Sequence, residues 1–197
     1  MATEGVDLKK RRMLTKVATV AGAVGAGFVA VPFLASWAPS ERAKTAGAPV
    51  EVDISKLQDG AMMTVEWQGK PVWIVKRTAR NLEDLPTLNE GLRDPASETE
   101  QQPEYARNAD RSIKREILVL VGICTHLGCS PTYTPGMSGA DLGANWKGGF
   151  FCPCHGSKFD LAGRVYQSVP APLNLQVPPH RYISDTTIVI GEDGGAT

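Results

Sequence analysis

The hydrophobic and polar positions divide the chain into one long uncharged run followed by many short apolar runs. From Val17 to Ser40 the sequence VATVAGAVGAGFVAVPFLASWAPS contains no charged residue. As a helix this run would be ~36 Å long, against ~30 Å for the hydrocarbon core of a bilayer. A cleaved signal peptide usually has an apolar core of only ~7–15 residues. The pattern therefore predicts a retained transmembrane helix at residues 17–38.

After this run the pattern changes to that of short strands. Residues 39–49 are rich in Ala, Gly and Pro and predict a flexible tether. Alternating segments at 62–67 and 71–76, separated by Gln68-Gly69, predict a β-hairpin, and the apolar run at 116–122 predicts a buried strand. Further strands are predicted at 50–54, 148–152, 163–167, 173–177 and 186–191. The pattern predicts an all-β sandwich or barrel-like domain at residues 50–197.

Two segments of this domain interrupt the strand pattern. Residues 78–85 predict a short helix, and the polar, proline-punctuated stretch at 86–112 predicts an irregular surface excursion.

Charge changes the picture mainly at the N-terminus. The formal net charge is zero, which argues against a general nucleic-acid-binding protein. Basic residues nevertheless precede the apolar run in the segment KKRRMLTK, at residues 9–16. Because positive flanks stay in the cytoplasm, residues 1–16 are expected inside and residues 41–197 outside. The paired arginines, Arg11 and Arg12, are also similar to a twin-arginine export signal.

The candidate chemistry lies in two short boxes, CTHLGC at 124–129 and CPCHGS at 152–157. Together they hold every cysteine of the chain and two of its three histidines. Glycine and proline around both boxes predict tight loops that leave strands. The third histidine, His180, is predicted to be a surface residue.

Three chemistries suit these boxes. A structural zinc site could use Cys124, His126, Cys152 and His155, a cysteine nucleophile could use one Cys–His pair, and a 2Fe–2S cluster could use two cysteines and two histidines. The nucleophile leaves three cysteines unexplained. The C-x-H spacing is tighter than zinc modules usually have, and one sulfur and one nitrogen from each loop suits a two-metal cluster. With those four as ligands, Cys129 and Cys154 are spare and should pair as a disulfide in an oxidising compartment.

The boxes resemble those of the Rieske iron–sulfur proteins of respiratory quinol–cytochrome c oxidoreductases. The basic start with one anchor, the hairpin WQGKPVWIVKRT (67–78) and the segment APLNLQVPP (171–179) are similar to the same family. The resemblance implies a Rieske-type antiparallel β-sandwich with a smaller cluster-binding subdomain at about 122–172. It also implies one N-terminal transmembrane helix and one 2Fe–2S cluster.

The resemblance assigns roles to individual residues. It implies that Cys124 and Cys152 bind the inner iron, that His126 and His155 bind the outer iron, and that Cys129 and Cys154 form a disulfide. Leu127 would shield the cluster, Ser157 would donate its hydroxyl to a cluster sulfur, and His155 would contact quinol. The stretch VPAP at 169–172 matches the proline loop that covers the cluster. Two positions depart from the family pattern: Phe159, where many members have tyrosine, and Val169, where many have glycine.

The implied function is electron transfer from quinol, with a proton, to a c-type cytochrome haem, with proton release outside the membrane. The implied partners are cytochrome b and c-type cytochrome subunits, ubiquinol and the lipid bilayer, in a dimeric complex. The implied location is the bacterial inner membrane, with the Rieske domain in the periplasm. The alternatives are a Rieske subunit of another exported oxidoreductase and a structural zinc module.

Overall fold

The structure is a computed structural model that describes residues 5, 7–41, 43, 47–136, 142–143 and 146–194. It divides into two compact units, Met1–Thr45 and Ala46–Thr197. Part of the predicted tether, residues 42 and 44–46, lies outside the described residues.

The first unit contains helix α1, Leu8–Ser36, which is long and apolar enough to cross a membrane. The helix starts earlier than the apolar run because the Asp7 side chain caps it, accepting hydrogen bonds from the Lys9 and Lys10 amides at 2.9 and 3.2 Å. Pro32 lies inside the helix, and none of the helix residues is buried within the chain.

The second unit is mostly β-structure, as predicted. Its helix α2, Ala79–Asp84, begins where expected, because the Thr78 side chain accepts a hydrogen bond from the Asn81 amide at 3.2 Å. Short 3-10 helices follow at Leu85–Gly91 and Glu104–Ala106. The strands that the structure describes are β1 (Val50–Asp53), β2 (Met62–Trp67), β3 (Lys70–Lys76), β4 (Ile117–Val121), β5 (Thr132–Thr134), β6 (Gly149–Cys152), β7 (Ser157–Phe159), β8 (His180–Ser184) and β9 (Thr187–Ile190).

The strands form three antiparallel sheets, in the orders β1-β9-β8, β2-β3-β4 and β5-β6-β7. The predicted hairpin is confirmed: β2 and β3 meet at Gln68 and Gly69, whose φ angles of 52° and 70° are those of a type I′ turn. The β2-β3-β4 sheet lies between the other two, which explains why β4 is apolar at every position.

The two faces of this central sheet belong to different cores. Val72 and Val119 pack with Ile188 of the first sheet. Trp73 and Leu120 face the other way and pack with Phe150 of the third sheet, the ring centroids of Trp73 and Phe150 lying 5.0 Å apart. The third sheet, with its loops, therefore packs directly against the central sheet.

Several expectations for the second unit are wrong. Residues 163–167 form only isolated bridges, Phe159 with Val165 and Leu92 with Tyr166, and residues 173–177 form no strand. The predicted surface excursion at 86–112 is partly interior: Leu88, Ala106 and Arg111 are among its buried residues. Its polar residues are buried because they bond to the backbone, as where Arg111 Nη1 donates to Ala162 O at 3.1 Å.

His180 is also not the surface residue that was expected, since only 1% of it is exposed. It opens β8 opposite Ile190, and its amide donates to the Tyr105 hydroxyl at 2.7 Å. The ring of Tyr105 covers it edge-on, with the centroids 5.6 Å apart. The burial results from the excursion, which folds back over the start of this strand.

Candidate metal centre

The two boxes form loops of the same construction. The first follows β4, and the second connects β6 to β7. In each, a glycine four residues after a cysteine returns its amide to that cysteine's carbonyl: Gly128 to Cys124 at 3.1 Å and Gly156 to Cys152 at 2.9 Å. Both glycines have positive φ, 85° and 75°, a conformation that strongly favours glycine. Each loop therefore presents a cysteine at its base and a histidine near its tip.

The two loops bring the four predicted ligands together. Cys124 and Cys152 are both free thiols and both 2% exposed, and their side chains are within hydrogen-bonding contact of each other. The rings of His126 and His155 lie edge to face, with centroids 4.7 Å apart. His155 is exposed and His126 is half-buried. The sulfurs thus lie on the inner side of the site and the imidazoles on the outer side.

The protein surroundings of the Cys124 thiol favour its protonated form. Burial raises the pKa of the Cys124 thiol, and the neighbouring Cys152 raises it further, while the His126 amide and the Ser157 side chain oppose the shift. Two buried thiolates with no cation between them would repel each other. A bound cation reverses this balance, because it favours deprotonated sulfur.

One buried polar atom shows that this donor set fits a metal group. His126 Nδ1 is buried and has no hydrogen-bond partner among the described residues. An unpaired buried nitrogen is costly, and metal ligation is one way in which it is satisfied. Two adjacent buried thiols and an unpaired imidazole nitrogen match the mixed sulfur and nitrogen ligation of a Rieske centre.

The remaining cysteines are joined, as predicted, in a Cys129–Cys154 disulfide with a Cα–Cα distance of 6.7 Å. The sulfurs of Cys129, Cys152 and Cys154 lie within 4.8 Å of one another. Two of these three are used in the disulfide, so Cys152 is the member of this group that is available to a metal. The disulfide fastens the end of the first loop to the second loop.

The residues around the four predicted ligands are exposed on one side of the site and buried on the other. Leu127 is 71% exposed beside His126, whereas Ser157 is fully buried and its hydroxyl accepts a hydrogen bond from the Ala171 amide at 3.0 Å. Phe159 is fully buried in the same core cluster as Cys124 and Cys152.

The sequence reasoning did not find one residue that shapes the site. The Thr125 hydroxyl donates to Leu173 O at 2.6 Å, joining the first loop to the residue that follows the predicted proline loop. Its place between Cys124 and His126 was the only signal in the sequence, because its partner lies 48 positions away.

Comparison with known proteins agrees with this geometry. Residues 49–179 match the family described as Rieske [2Fe-2S] domain, and residues 1–40 match the one described as Ubiquitinol-cytochrome C reductase Fe-S subunit TAT signal. The iron-sulfur subunit of ubiquinol-cytochrome c reductase from Allochromatium vinosum is 58% identical over 196 residues, covering 100% of this chain and 95% of that protein.

More distant relatives include mitochondrial proteins. The Rieske subunit of the cytochrome b-c1 complex from Candida albicans is 40% identical over 170 residues, which cover 86% of this chain and 70% of that one. A solved chain described as Hyperthermophilic respiratory Complex III is 26% identical, with a TM-score of 0.47, over 88% of this chain and 98% of that chain. The two matched families and the full-length relatives place the chain without ambiguity: it belongs to the Rieske [2Fe-2S] family, among the iron–sulfur subunits of ubiquinol–cytochrome c reductase.

Proposed function

We propose that this protein is the electron-transfer subunit of a respiratory quinol–cytochrome c oxidoreductase. It receives one electron, with one proton, from quinol at a cytochrome b subunit, and the electron passes to the haem of a c-type cytochrome subunit. The proton is released outside the membrane. The observation that carries the proposal is the pair of disulfide-linked loops, which bring together two buried cysteines on the inner side of the site and two adjoining histidines on its outer side.

The cofactor is one Rieske-type 2Fe–2S cluster. We assign Cys124 and Cys152 to the inner iron and His126 and His155 to the outer iron, because the thiols are buried and His155 is exposed. The bound cluster supplies one-electron redox chemistry at roughly −150 to +300 mV, against ~−400 mV for all-cysteine ligation, since neutral imidazoles leave the site less negative. That range reaches the potentials needed to oxidise quinol.

His155 is the residue that we expect to handle the proton. Its exposed ring lies where a hydroxyl of quinol can approach it, and the exposed Leu127 side chain gives the rim an apolar contact for a quinone pocket. With its metal-bound nitrogen occupied, the other ring nitrogen is the atom that accepts the quinol proton and later releases it. The buried Ser157 hydroxyl, which already accepts from Ala171, keeps its own proton for a cluster sulfur.

The N-terminal unit fits a membrane-anchored, exported subunit. Helix α1 is long and apolar enough to span a bilayer, and Lys9, Lys10, Arg11 and Arg12 precede its apolar part. The positive flank supports an orientation with the N-terminus in the cytoplasm and the cluster domain in the periplasm of a bacterial inner membrane. In this position the domain can meet both quinol from the bilayer and a haem outside it, in a complex that we expect to be dimeric.

Membranes containing the full-length chain and its partner proteins provide the test. We expect a visible absorption that bleaches on reduction, a reduced-state paramagnetic signal of a mixed nitrogen- and sulfur-ligated diiron centre, and co-purification of b-type and c-type haem proteins. His126→Ala and His155→Ala should each abolish the signal. His180→Gln is the matched control, because it alters the histidine in another sheet, and it should keep the signal. A colourless zinc protein, or a signal that survives loss of both imidazoles, contradicts the proposal.

A further inference from the structure

The excursion contributes an edge to the sheet that carries the second loop. Residues 165 and 166 pair with the outer edge of β7: Val165 forms a bridge with Phe159, and the Tyr166 amide donates to Lys158 O at 3.1 Å. Residues 91–93 then pair with residues 165–167: the Arg93 amide donates to Val165 O, and the Gln167 amide donates to Gly91 O, both at 2.9 Å. The backbone of the excursion is thus joined to the cluster-binding sheet.

The same part of the excursion is fixed firmly by a buried ion pair. Arg164 and Asp160 are almost fully buried, and their side chains meet at 2.7 Å. The remaining guanidinium donors of Arg164 reach Leu85 O at 2.8 Å, Asn89 Oδ1 at 3.0 Å and Pro95 O at 3.3 Å. Residues 85–95 are therefore held to the turn after β7 at several points, which makes them a rigid support.

The segment 169–174, which contains the proline loop at residues 169–172, is held from two sides. Thr125 and Ser157, on the cluster-binding loops, bond to Leu173 O and the Ala171 amide at 2.6 and 3.0 Å. The excursion supplies the other two contacts: Arg93 Nη2 donates to Val169 O at 3.1 Å, and Asp94 O accepts from Asn174 Nδ2 at 3.0 Å. The excursion thus holds both ends of the segment 169–174, while the cluster-binding loops hold its middle.

Asn174 is the residue at which these contacts converge. It is 1% exposed, and both ends of its amide are used: Oδ1 accepts from the Val165 amide at 2.8 Å while Nδ2 donates to Asp94 O. A buried amide with both ends paired fixes the segments that it joins, because breaking either bond leaves an unpaired buried group. Asn174 therefore fixes the end of the segment 169–174 relative to the excursion.

We infer that the excursion is a brace for the proline loop, with Asn174 and Arg93 as positioning residues for the cluster. Both residues act through the position of the proline loop. The Ala171 amide of that loop bonds to the Ser157 hydroxyl and so orients the hydrogen bond that Ser157 would donate to a cluster sulfur. The inference rests on the proposed ligand set only for its spectroscopic consequence. The brace itself is a property of the fold, and hydrogen exchange of the proline loop measures it independently of the cluster.

Asn174→Asp isolates the contact with the brace. The carboxylate still accepts from the Val165 amide but cannot donate to Asp94 O, which it repels. In the complex purified with the full-length chain, we expect at least a tenfold faster hydrogen exchange in the peptide covering 168–174. We also expect a lower midpoint potential and a shifted reduced-state paramagnetic spectrum. Asn108→Asp is the matched control: it makes the same exchange within the excursion, at an amide that donates to Tyr105 O and Ser112 O and not to the segment 169–174, and should leave all three readouts unchanged.

A second pair of variants covers the case in which Asn174→Asp does not accumulate. Arg93 is exposed, so Arg93→Met should fold, and it should show a smaller change of the same kind, which Arg93→Lys partly restores. The brace is overturned if Asn174→Asp or Arg93→Met lowers thermal stability but leaves the exchange of 168–174, the potential and the spectrum as they are in the parent protein. Faster exchange with an unchanged spectrum and potential overturns the positioning role. Loss of any Rieske-type signal in the parent protein would contradict the proposed function instead, and the exchange readout would still test the brace.

Discussion

At the scale of single residues, the site depends on which buried polar atoms have partners. The Ser157 hydroxyl accepts from Ala171 and keeps a proton to donate, whereas the neighbouring Phe159, equally buried, offers no hydroxyl at all. His126 Nδ1 and His180 Nε2 are both buried without a hydrogen-bond partner among the described residues, and in the proposed ligand set only His126 would gain a partner from the metal. These differences lead to one prediction about potential and one about pH.

Phe159→Tyr should raise the midpoint potential. A hydroxyl added at this position, in the core cluster that holds Cys124 and Cys152, can donate to a ligand sulfur and stabilise the extra negative charge of the reduced state. A net gain of ~1 kcal/mol corresponds to about 40 mV for a one-electron couple. Redox titration of the parent protein, Phe159→Tyr and the control Phe159→Leu measures this. An unchanged midpoint in Phe159→Tyr, or an equal rise in Phe159→Leu, would refute the explanation.

His180 should make the fold less stable in acid. Burial lowers the pKa of His180, and although Pro178 O and Asp193 oppose the shift, burial is the larger effect. Below a pH of about 6.5 the unfolded chain binds a proton that the folded chain resists, so the free energy of unfolding falls by up to ~1.4 kcal/mol per pH unit. Above that pH the group has no effect. Chemical unfolding of the full-length chain in detergent, from pH 7.5 to 4.5, should show a shallower slope for His180→Gln; parallel slopes would exclude His180 as the source.

At the scale of elements, the sequence predicted those strands whose hydrophobic positions follow a regular pattern. The β2–β3 hairpin, β4 and β9 were found because their apolar positions alternate or run continuously between turn residues. β5 and β7 have three residues each, too few for a pattern. Residues 163–167 and 173–177 look like strands, but their amides bond to side chains or isolated backbone groups, as the Val177 amide does to Gln101 O in the excursion. Partners this far along the sequence leave no local signal.

The candidate site was predictable to the same extent. The four proposed ligands and the disulfide pair stand in two compact boxes with distinctive spacing, so the resemblance to the family could assign both sets, and the structure confirms the disulfide. Thr125, Arg93 and Asn174 act through contacts 48 to 80 positions away, and those contacts arise only when the excursion and the proline loop fold against the sheet.

Two glycines of positive φ should respond differently to alanine. A Cβ at Gly149, in β6, would lie 2.0 Å from Phe159 O, a backbone atom of the neighbouring strand that cannot withdraw without breaking the sheet. Gly149→Ala should therefore cost several kcal/mol, at least ~3, as severe overpacking does. At Gly156, with φ of 75°, no atom lies within 4 Å, so Gly156→Ala should cost only ~1 kcal/mol for the left-handed conformation. Thermal unfolding of the two variants compares them; equal losses would show that the close contact at Gly149 is relieved at little cost.

The disulfide should matter more for holding the loops together than for forming the site. Cys129–Cys154 closes a loop with a sequence separation of 25, which corresponds to about 3–4 kcal/mol in the chain-entropy account. Replacing both cysteines by serine should leave the ligands in place at low temperature but speed loss of the cluster on warming. Visible absorption against temperature records this. A double variant that retains its colour as long as the parent protein would show that the hydrogen bonds within the loops suffice.

At the scale of the whole molecule, the chain combines a helix long and apolar enough to cross a membrane with a Rieske domain. The sheet that carries the second loop packs on the central sheet through Trp73 and Phe150. In the proposed function the two cluster-binding loops must reach quinol in the bilayer and then a haem outside it. A rigid domain can serve both partners only if the segment between helix and domain permits movement.

Stiffening the segment between helix and domain should therefore slow turnover without altering the centre. Residues 39–49 are rich in small residues and begin and end with proline, a composition that permits many conformations. Ala43→Pro combined with Gly47→Pro removes part of that freedom, and Ala43→Ser combined with Gly47→Ser is the matched control that retains it. We expect a several-fold lower rate of haem reduction by quinol in the proline variant, with the midpoint potential and the paramagnetic spectrum unchanged. Equal rates in the two variants would show that the domain serves both partners without moving; a shifted potential would show that the prolines had disturbed the domain itself.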